Sequence, residues 1–340
     1  MFMMNKAFSF VIVCLMAFAT AGCNTGNDFI RLEGSALGTT YAITLKTPPG
    51  APSGFRALAE QTVTAVLQNI NNSLSIYNNH SLISRINRNL TQETDSLFRI
   101  VFEKAVEISD LTDGAFDISA APLFDLWGFG FERKDNVRTE HIDELLPYTG
   151  MDKFRLVGTL MFKEDPRGSL SMNAIAKGFA CDLMAREFTL LGVTDMLVEI
   201  GGEIVCKGLN PGKKPWRIGV DSPVDGNVHP GEHIEVVIRL TDKSLATSGN
   251  YRNYYIRDGE KYAHIIDPRS GYPVNHNLLS ATVIADDCMT ADAFATAFMV
   301  MGLEASKSYL QDHPGLGAFL IYDEKGKFST FATDNIITDL

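Results

Sequence analysis

The sequence predicts an α+β fold. Strand-like runs rich in β-branched residues are mixed with separated helical patterns, without the strict βαβ alternation that a parallel α/β sheet requires. Of the 340 residues, 45% are apolar and 21% are charged, which is enough material for a sizeable core. This length is compatible with two domains or with one large α+β domain.

The first 22 residues have the features of a secretory signal peptide. Lys6 precedes an apolar run from Ala7 to Ala19 that is too short to span a bilayer comfortably. Thr20-Ala21-Gly22-Cys23 then resembles the lipobox of bacterial lipoproteins, whose cysteine is acylated and becomes the mature N-terminus. We therefore expect Cys23 to be lipidated and residues 23–30 to form a lipid-anchored tether. Because Thr20 replaces the usual Leu, an ordinary secreted protein is the alternative.

The remaining chain begins with an extended segment and continues with helices. Arg31 to Lys46 is predicted to form strand from its β-branched content. Apolar residues recur at helical spacing from Ala59 to Ile70 and from Leu97 to Ile108. A further helix is predicted from about Asn173 to Leu191. The strand-like runs around it are 154–162, 196–205, 216–220 and 234–240.

An early polar turn carries candidate binding residues. Asp113-Gly114-Ala115-Phe116-Asp117 places two carboxylates beside a glycine that permits positive φ. Three aromatic residues follow, at Phe124, Trp127 and Phe129. The segment is compatible with a flat apolar ligand or with an aromatic-rich core loop.

Two later turns are also candidates. Ser171 to Gly178 opens a helix, where free backbone N–H groups and Lys177 can meet a phosphate, although the P-loop spacing is absent. Glu199 to Glu203 ends a strand with two glycines. Such a pair indicates either a tight turn or close approach of the backbone to a ligand.

A carboxylate and a hydroxyl share one helix face near the C-terminus. Asp292 and Thr296 lie four residues apart in an apolar helical run, so their side chains project together. Oxygen ligands of this kind suit Mg²⁺, which takes only one or two side chains from a protein. Two alternatives are structural: Thr296 bonding back to a carbonyl one turn earlier, and Asp292 favouring the first helical turn.

Several function classes are disfavoured. The formal net charge of −11 argues against nucleic acid as a partner, since phosphate-backbone binding requires a basic surface. Cys181, Cys206 and Cys288 form no C-x-x-C pair and are predicted to be buried thiols. No serine has a lysine three positions later, which argues against a penicillin-recognising enzyme, and G-x-S-x-G and H-E-x-x-H are absent.

Taken in order, the motifs resemble the ApbE family of bacterial FAD:protein FMN transferases. The resemblance covers essentially the whole mature chain, residues 31–340, and implies one large ApbE-like, T-fold-related domain with mixed sheets and flanking helices. The matching motifs are Gly34–Tyr41, Ser75–Tyr77 with Ser81 and Ser84–Asn87, Thr112–Asp117, Ala174–Gly178 with Asp182, Gly201-Gly202, Ala246–Tyr251, His264–Gly271 and Thr290–Thr296.

The resemblance implies an activity and a site. The enzyme would split FAD at its pyrophosphate, join FMN to a Thr or Ser hydroxyl of a partner protein, and release AMP. Mg²⁺ would be bound by the side chains of Asp292 and Thr296 and by the backbone carbonyl of Ala174. Tyr77 and Phe116 would stack on flat rings of FAD. The full set of residues that would line the FAD site is Leu37, Tyr77, Ala115, Phe116, Asp117, Ser171, Lys177 and Ile266.

His264 is the candidate for accepting the proton of the incoming hydroxyl or for holding a phosphate oxygen; a structural histidine is the alternative. Leu37 stands where the family usually has Met, and Ser171 occupies a position that is often Asp. Tyr77 occupies the site at which hydrolytic members have Asn. It therefore favours transfer over FAD hydrolysis.

The same resemblance places the protein at the periplasmic side of a bacterial envelope, anchored to the membrane by lipid. Its acceptor would be a protein with a Thr- or Ser-containing flavinylation motif, as in membrane redox subunits of Nqr or Rnf type. Two alternatives remain: an Mg²⁺-dependent FAD pyrophosphatase, and a non-catalytic FAD-binding lipoprotein. Asp292 and Thr296 argue against the second, because a storage protein has no evident need for a metal at the scissile bond.

Overall fold

The computed structural model describes residues 28–128, 137–223, 231–250, 254–257, 260–263 and 265–339. Cys23, Phe129 and His264 lie outside these residues. Eight α-helices are present in the described part: α1 Phe55–Leu74, α2 Leu82–Asn87, α3 Ser96–Leu111, α4 Ala121–Leu126, α5 Thr139–Leu145, α6 Ala176–Leu190, α7 Cys288–Met301 and α8 Leu303–Asp312.

The strands within the same residues begin at Phe29. They are β1 Phe29–Ala36, β2 Thr39–Lys46, β3 Phe154–Val157, β4 Leu160–Lys163, β5 Met196–Ile200, β6 Glu203–Lys207, β7 Trp216–Asp221, β8 Ile234–Leu240, β9 Lys243–Gly249, β10 Tyr254–Arg257, β11 Glu260–Ala263, β12 Leu278–Ala285, β13 Gly317–Glu324, β14 Lys327–Ala332 and β15 Ile337–Asp339.

Eight strands form the central sheet, in the order β1-β2-β5-β6-β9-β12-β13-β14. A second sheet has the order β15-β8-β7, and β3-β4 and β10-β11 are separate hairpins. The α+β class is confirmed. A mixed sheet is expected from the sequence, but the strand pairs in the described residues are antiparallel.

The central sheet is buried on both faces, which gives three layers. On β6, Val205 belongs to the core shared with the helices, whereas Ile204 and Cys206 pack against Trp216 and Ile238 of the smaller sheet. Successive residues of a strand point to opposite faces, so the alternation assigns one face to each layer. Helices α6 and α7 pack directly on the sheet, α6 over β5 and β6 and α7 over β9 and β12.

Three predicted strand runs are hairpins instead of single strands. The run 31–46 turns at Leu37-Gly38, 154–162 turns at Gly158-Thr159, and 196–205 turns at Gly201-Gly202. Both residues of the first and the last turn have positive φ, which matches the right-handed twist of the flanking strands. Strand propensity indicates extended backbone but does not detect a reversal of only two residues. Each run is therefore predicted as one continuous strand.

The helix predictions are confirmed in type, and the three mature cysteines are buried and free, as expected. The helix expected from Asn173 begins at Ala176. In its first turn the N–H of Gly178, which has no acceptor within the helix, donates to the carboxylate of Asp292 on α7. Asp292 is therefore bonded across two helices and does not serve as a first-turn acid of its own helix.

Helices α6 and α7 approach each other closely at Gly178. A Cβ at this position would lie 2.4 Å from the carbonyl oxygen of Cys288 and 2.8 Å from the Cβ of Asp292. Backbone atoms cannot give way as the end of a flexible side chain can. The packing of the two helices therefore requires glycine at position 178.

Asp182 fixes the start of α7. Its Oδ1 and Oδ2 accept the N–H groups of Cys288 and Met289, each at 2.8 Å. Burial raises the pKa of Asp182 from 3.8 to about 7, and these two hydrogen bonds oppose the rise. The first N–H groups of a helix lack partners within the helix, so Asp182 supplies them from α6.

We expect Gly178→Ala to lower the free energy of unfolding by about 1–3 kcal/mol, because the added methyl group forces the two helices apart. Urea denaturation measures the change. Gly315→Ala is the matched control, since a Cβ there meets nothing within 4 Å. Equal stability of Gly178→Ala and Gly315→Ala would contradict the close approach.

Asp182→Asn tests the raised pKa. Between pH 4 and pH 7 the folded state holds a proton on Asp182 that the unfolded state has lost, so the wild-type free energy of unfolding falls as pH rises through this window. Asparagine removes this contribution. The stability difference, wild type minus Asp182→Asn, should therefore be larger at pH 5 than at pH 8 in urea denaturation. A difference independent of pH would show that the pKa is not raised.

Candidate active site

The helix pair α6–α7 assembles the oxygens expected to bind metal. Asp292 is 3% exposed, and its Oδ2 accepts the N–H of Gly178 at 3.0 Å. Thr296 is half-buried one turn further along α7, and its Oγ1 lies 3.4 Å from Oγ of Ser248 on β9. The hydroxyl of Thr296 therefore faces a neighbouring strand. The alternative, in which this hydroxyl bonds back to a carbonyl of its own helix, has no such contact with a strand.

Ala174 lies two residues before α6, and the residue between them, the N-cap Ile175, has a non-helical backbone. The carbonyl of Ala174 therefore lies outside the hydrogen-bonding pattern of α6. The N–H of Gly178, the third residue of α6, has no acceptor within the helix and donates to Asp292. The residue predicted to offer its carbonyl to the metal thus lies at the start of the helix that packs against Asp292.

These oxygens fit a hard cation. One carboxylate, one hydroxyl and one carbonyl form a set that Mg²⁺ accepts, with water and phosphate completing the octahedron. The described residues contain no group of three or more His, Cys, Asp or Glu placed to hold a metal. A set with a single carboxylate is consistent with that finding.

Lys177 provides the positive charge next to this set. Its Nζ forms an ion pair with Oε1 of Glu203 at 2.5 Å, and its side chain is 30% exposed. Burial alone would lower the pKa of Lys177, but the carboxylates of Glu203 and Asp292 outweigh burial and raise it. The group is therefore an ammonium that partly reaches the surface, as a phosphate contact requires.

Glu203 was not identified from the sequence as a site residue. The turn Gly201-Gly202 starts β6 at this position and directs the carboxylate toward the helices, on the same side as Val205. Burial raises the pKa of Glu203, and Lys177 opposes the rise. The two glycines therefore make a tight turn, the first of the two alternatives. Ser248 is a second residue that sequence analysis missed, because only tertiary contacts place it beside Thr296.

A second group of predicted residues is connected to the first by hydrogen bonds. Tyr77 is 68% exposed, and its hydroxyl accepts the side-chain N–H of Asn173 at 3.1 Å. The N–H of Ser171 donates to the carbonyl of Ile118 at 2.7 Å, next to Asp117. The chain 171–174 thus joins Tyr77 and the Asp117 turn to the start of α6.

Asp117 is a half-buried carboxylate in this second group. Its Oδ1 accepts the N–H of Ser119 at 2.6 Å. Burial raises the pKa of Asp117 to about 6, although hydrogen bonds from Ser119 and Met151 oppose the rise. The carboxylate is therefore poised between its charged and neutral forms near physiological pH.

Three of the predicted FAD-lining residues are inside the core. Ala115 and Phe116 belong to the main hydrophobic core, and Ile266 packs with Leu123 and Trp127 in a smaller cluster under α4. The ring of Phe116 is therefore not available for stacking in this structure, and these three positions can meet a ligand only through their backbone. Trp127 is likewise buried, so the core-loop alternative holds for it.

Leu37 lies in the turn between β1 and β2 with φ of 50°, half-buried against the main core. The segment that follows His264 is anchored near α4. Nε1 of Trp127 donates to the carbonyl of Gly271 at 2.8 Å, and Arg269 pairs with Asp267 at 2.8 Å. A Cβ on Gly114 would lie 3.6 Å from Cγ of Arg269, so residues 267–271 lie near the Asp113–Asp117 turn as well as near α4.

The fold and the oxygen set define a class: an α+β protein with a candidate hard-cation site between two helices and a central antiparallel sheet. Comparison with known proteins identifies the family within this class. A model of the ApbE family matches residues 37–320. The chain therefore belongs to the ApbE family.

Relatives in sequence and structure agree with this assignment. A FAD:protein FMN transferase of Vibrio cholerae is 38% identical over 292 residues, which cover 84% of this chain and 85% of the relative. Another from Haemophilus influenzae is 33% identical over 338 residues, 96% of each chain. The apo crystal structure of the flavinyl transferase ApbE of Pseudomonas stutzeri superposes with a TM-score of 0.81 at 31% identity, covering 90% of this chain and 95% of that one. The flavin transferase ApbE of Vibrio cholerae gives 0.80 at 32% identity, covering 90% and 97%.

Proposed function

We propose that this protein transfers FMN from FAD to a Thr or Ser hydroxyl of a partner protein and releases AMP, with Mg²⁺ as the metal. The observation that carries the proposal is the hydrogen bond from Gly178 to Asp292, which holds the helix bearing Asp292 and Thr296 against the start of α6, where Lys177 lies. The names of the relatives, FAD:protein FMN transferase, support the reaction.

In the proposed reaction the acceptor hydroxyl oxygen attacks the phosphorus of the FMN half of FAD. The bond from that phosphorus to the bridging oxygen breaks, AMP leaves with the bridging oxygen, and the hydroxyl proton passes to a base. His264 is our candidate for this base. Mg²⁺, when bound, would neutralise charge on the pyrophosphate and on the leaving oxygen.

The chain's own residues would orient the pyrophosphate. Lys177, at the start of α6, would donate to phosphate oxygens. This local positive region is needed because the chain as a whole carries a formal net charge of −11. Tyr77, whose side chain is exposed, would cover the flavin and exclude water from the phosphorus.

We further propose that Cys23 is lipidated and that the enzyme works at the periplasmic side of a bacterial membrane. The lipobox-like Thr20 to Cys23 segment supports this location. No helix within the described residues is long and apolar enough to cross a membrane. Membrane redox subunits of Nqr or Rnf type that carry a Thr- or Ser-containing motif would be the acceptors.

Asp292→Ala tests the chemistry and the metal together. The purified chain is incubated with FAD, MgCl₂ and a candidate acceptor domain, and the acceptor is analysed by intact mass. We expect the acceptor to gain one FMN with the wild type, and the rate to fall by about 100-fold or more for Asp292→Ala and with EDTA.

Asp286→Ala removes an exposed carboxylate just before α7 and is the matched control, expected to keep wild-type activity. Free FMN and AMP with unmodified acceptor would favour a pyrophosphatase. FAD that stays intact and bound would favour a storage protein and contradict the proposal.

Tyr77→Asn tests the choice between transfer and hydrolysis. Loss of the ring opens the phosphorus to water. We therefore expect Tyr77→Asn to release FMN and AMP from FAD faster than the wild type when no acceptor is present. Chromatography of the products measures this rate. Tyr77→Phe keeps the ring and loses the bond from Asn173. If the ring protects the phosphorus from water, Tyr77→Phe should hydrolyse FAD as slowly as the wild type. Fast hydrolysis by both variants would instead show that the hydroxyl of Tyr77 provides the protection.

A further inference from the structure

Glu203 is a buried acid that the proposed reaction does not use. Its side chain is 3% exposed, and Oε1 pairs with Nζ of Lys177 at 2.5 Å. Oε2 is also buried and has no hydrogen-bond partner among the described residues. Cys181 on α6 donates its thiol to the backbone carbonyl of Glu203 at 3.3 Å, which helps fix the strand against the helix.

Stability alone does not account for this ion pair. Removing two charges from water costs free energy that the attraction often fails to recover, and the cost is greater when one oxygen remains unpaired. Replacing a buried ion pair by well-packed apolar residues often leaves the stability of a fold unchanged or raises it. The ion pair therefore calls for a functional explanation, which the surroundings of Lys177 supply.

Lys177 lies within electrostatic range of two buried carboxylates, those of Glu203 and Asp292. An ammonium and a metal ion compete for the same carboxylate. If Lys177 turned to Asp292, it would neutralise the one carboxylate of the metal-binding set and move away from the phosphate. In the structure Lys177 pairs with Glu203, and Asp292 is bonded by the uncharged N–H of Gly178.

We propose that Glu203 is a positioning residue that holds the Lys177 ammonium away from Asp292, so that Asp292 stays free for Mg²⁺ and Lys177 stays directed at the pyrophosphate. This inference rests on the proposed function. It adds a task for Glu203 that is distinct from binding either ligand, since Glu203 acts through Lys177.

The test uses the full chain and two readouts other than turnover. FAD binding is followed by flavin fluorescence while MgCl₂ is titrated, and the rise in Tm with MgCl₂ is recorded without FAD. The variants are Glu203→Gln, Glu203→Asp and the double variant Lys177→Met with Glu203→Gln. Glu199→Gln is the matched control, because Glu199 lies in the same hairpin and bonds to Gly202 N–H instead of Lys177.

We expect Glu203→Gln to raise the half-saturating Mg²⁺ concentration by about tenfold or more, the usual effect of losing a partner that orients a metal site. Glu203→Asp should do the same, because the shorter side chain withdraws the carboxylate from Lys177. The double variant should recover the wild-type Mg²⁺ dependence while binding FAD more weakly. Glu199→Gln should match the wild type.

Three results would overturn the inference. Wild-type Mg²⁺ dependence in Glu203→Gln would show that Glu203 has no effect. A normal Glu203→Asp would assign the effect to charge and not to position. If the double variant needed as much Mg²⁺ as Glu203→Gln, the effect of Glu203 would not act through Lys177. Should Glu203→Gln fail to fold by circular dichroism, Glu203→Asp and the double variant still decide. A wild type without Mg²⁺-dependent FAD binding or FMN transfer would instead reject the proposed function itself.

Discussion

The hydrogen bond from the N–H of Gly178 to Asp292 is the interaction on which the rest of the candidate site depends. It forms only because α6 and α7 approach so closely that no Cβ fits at position 178. By taking this N–H, Asp292 is fixed in place against the start of α6. One bond therefore holds the proposed metal-binding carboxylate next to the segment that carries Ala174 and Lys177.

The charges around this helix pair favour the binding of a cation. Asp182, Glu203 and Asp292 are buried or nearly so, and Lys177 is the ammonium among them. Asp182 is offset by two N–H groups at the start of α7, and Glu203 is paired with Lys177. Asp292 receives only a single neutral donor among the described residues, so a bound cation would complete its pairing.

The central sheet supplies the other side of the site. Since β6 and β9 are buried on both faces, their positions are fixed by the smaller sheet behind them as well as by the helices in front. Glu203 and Ser248 point to the helix side and meet Lys177 and Thr296 there. Packing far from the ligand thus sets distances within the site, as expected for close-packed interiors.

The sequence by itself determined the α+β class, the helix that bears Asp292 and Thr296, and the family, because helical periodicity and motif order are local properties of the chain. It did not determine the hairpin turns at Leu37-Gly38 and Gly158-Thr159, the start of α6 at Ala176, or the burial of Phe116 and Ile266. Nor did it indicate the pairing of Glu203 with Lys177. Those features arise where segments distant in sequence meet, as with Gly178 and Asp292, which lie 114 residues apart. Such contacts depend on how the helices pack against the sheet, and only the tertiary structure decides that.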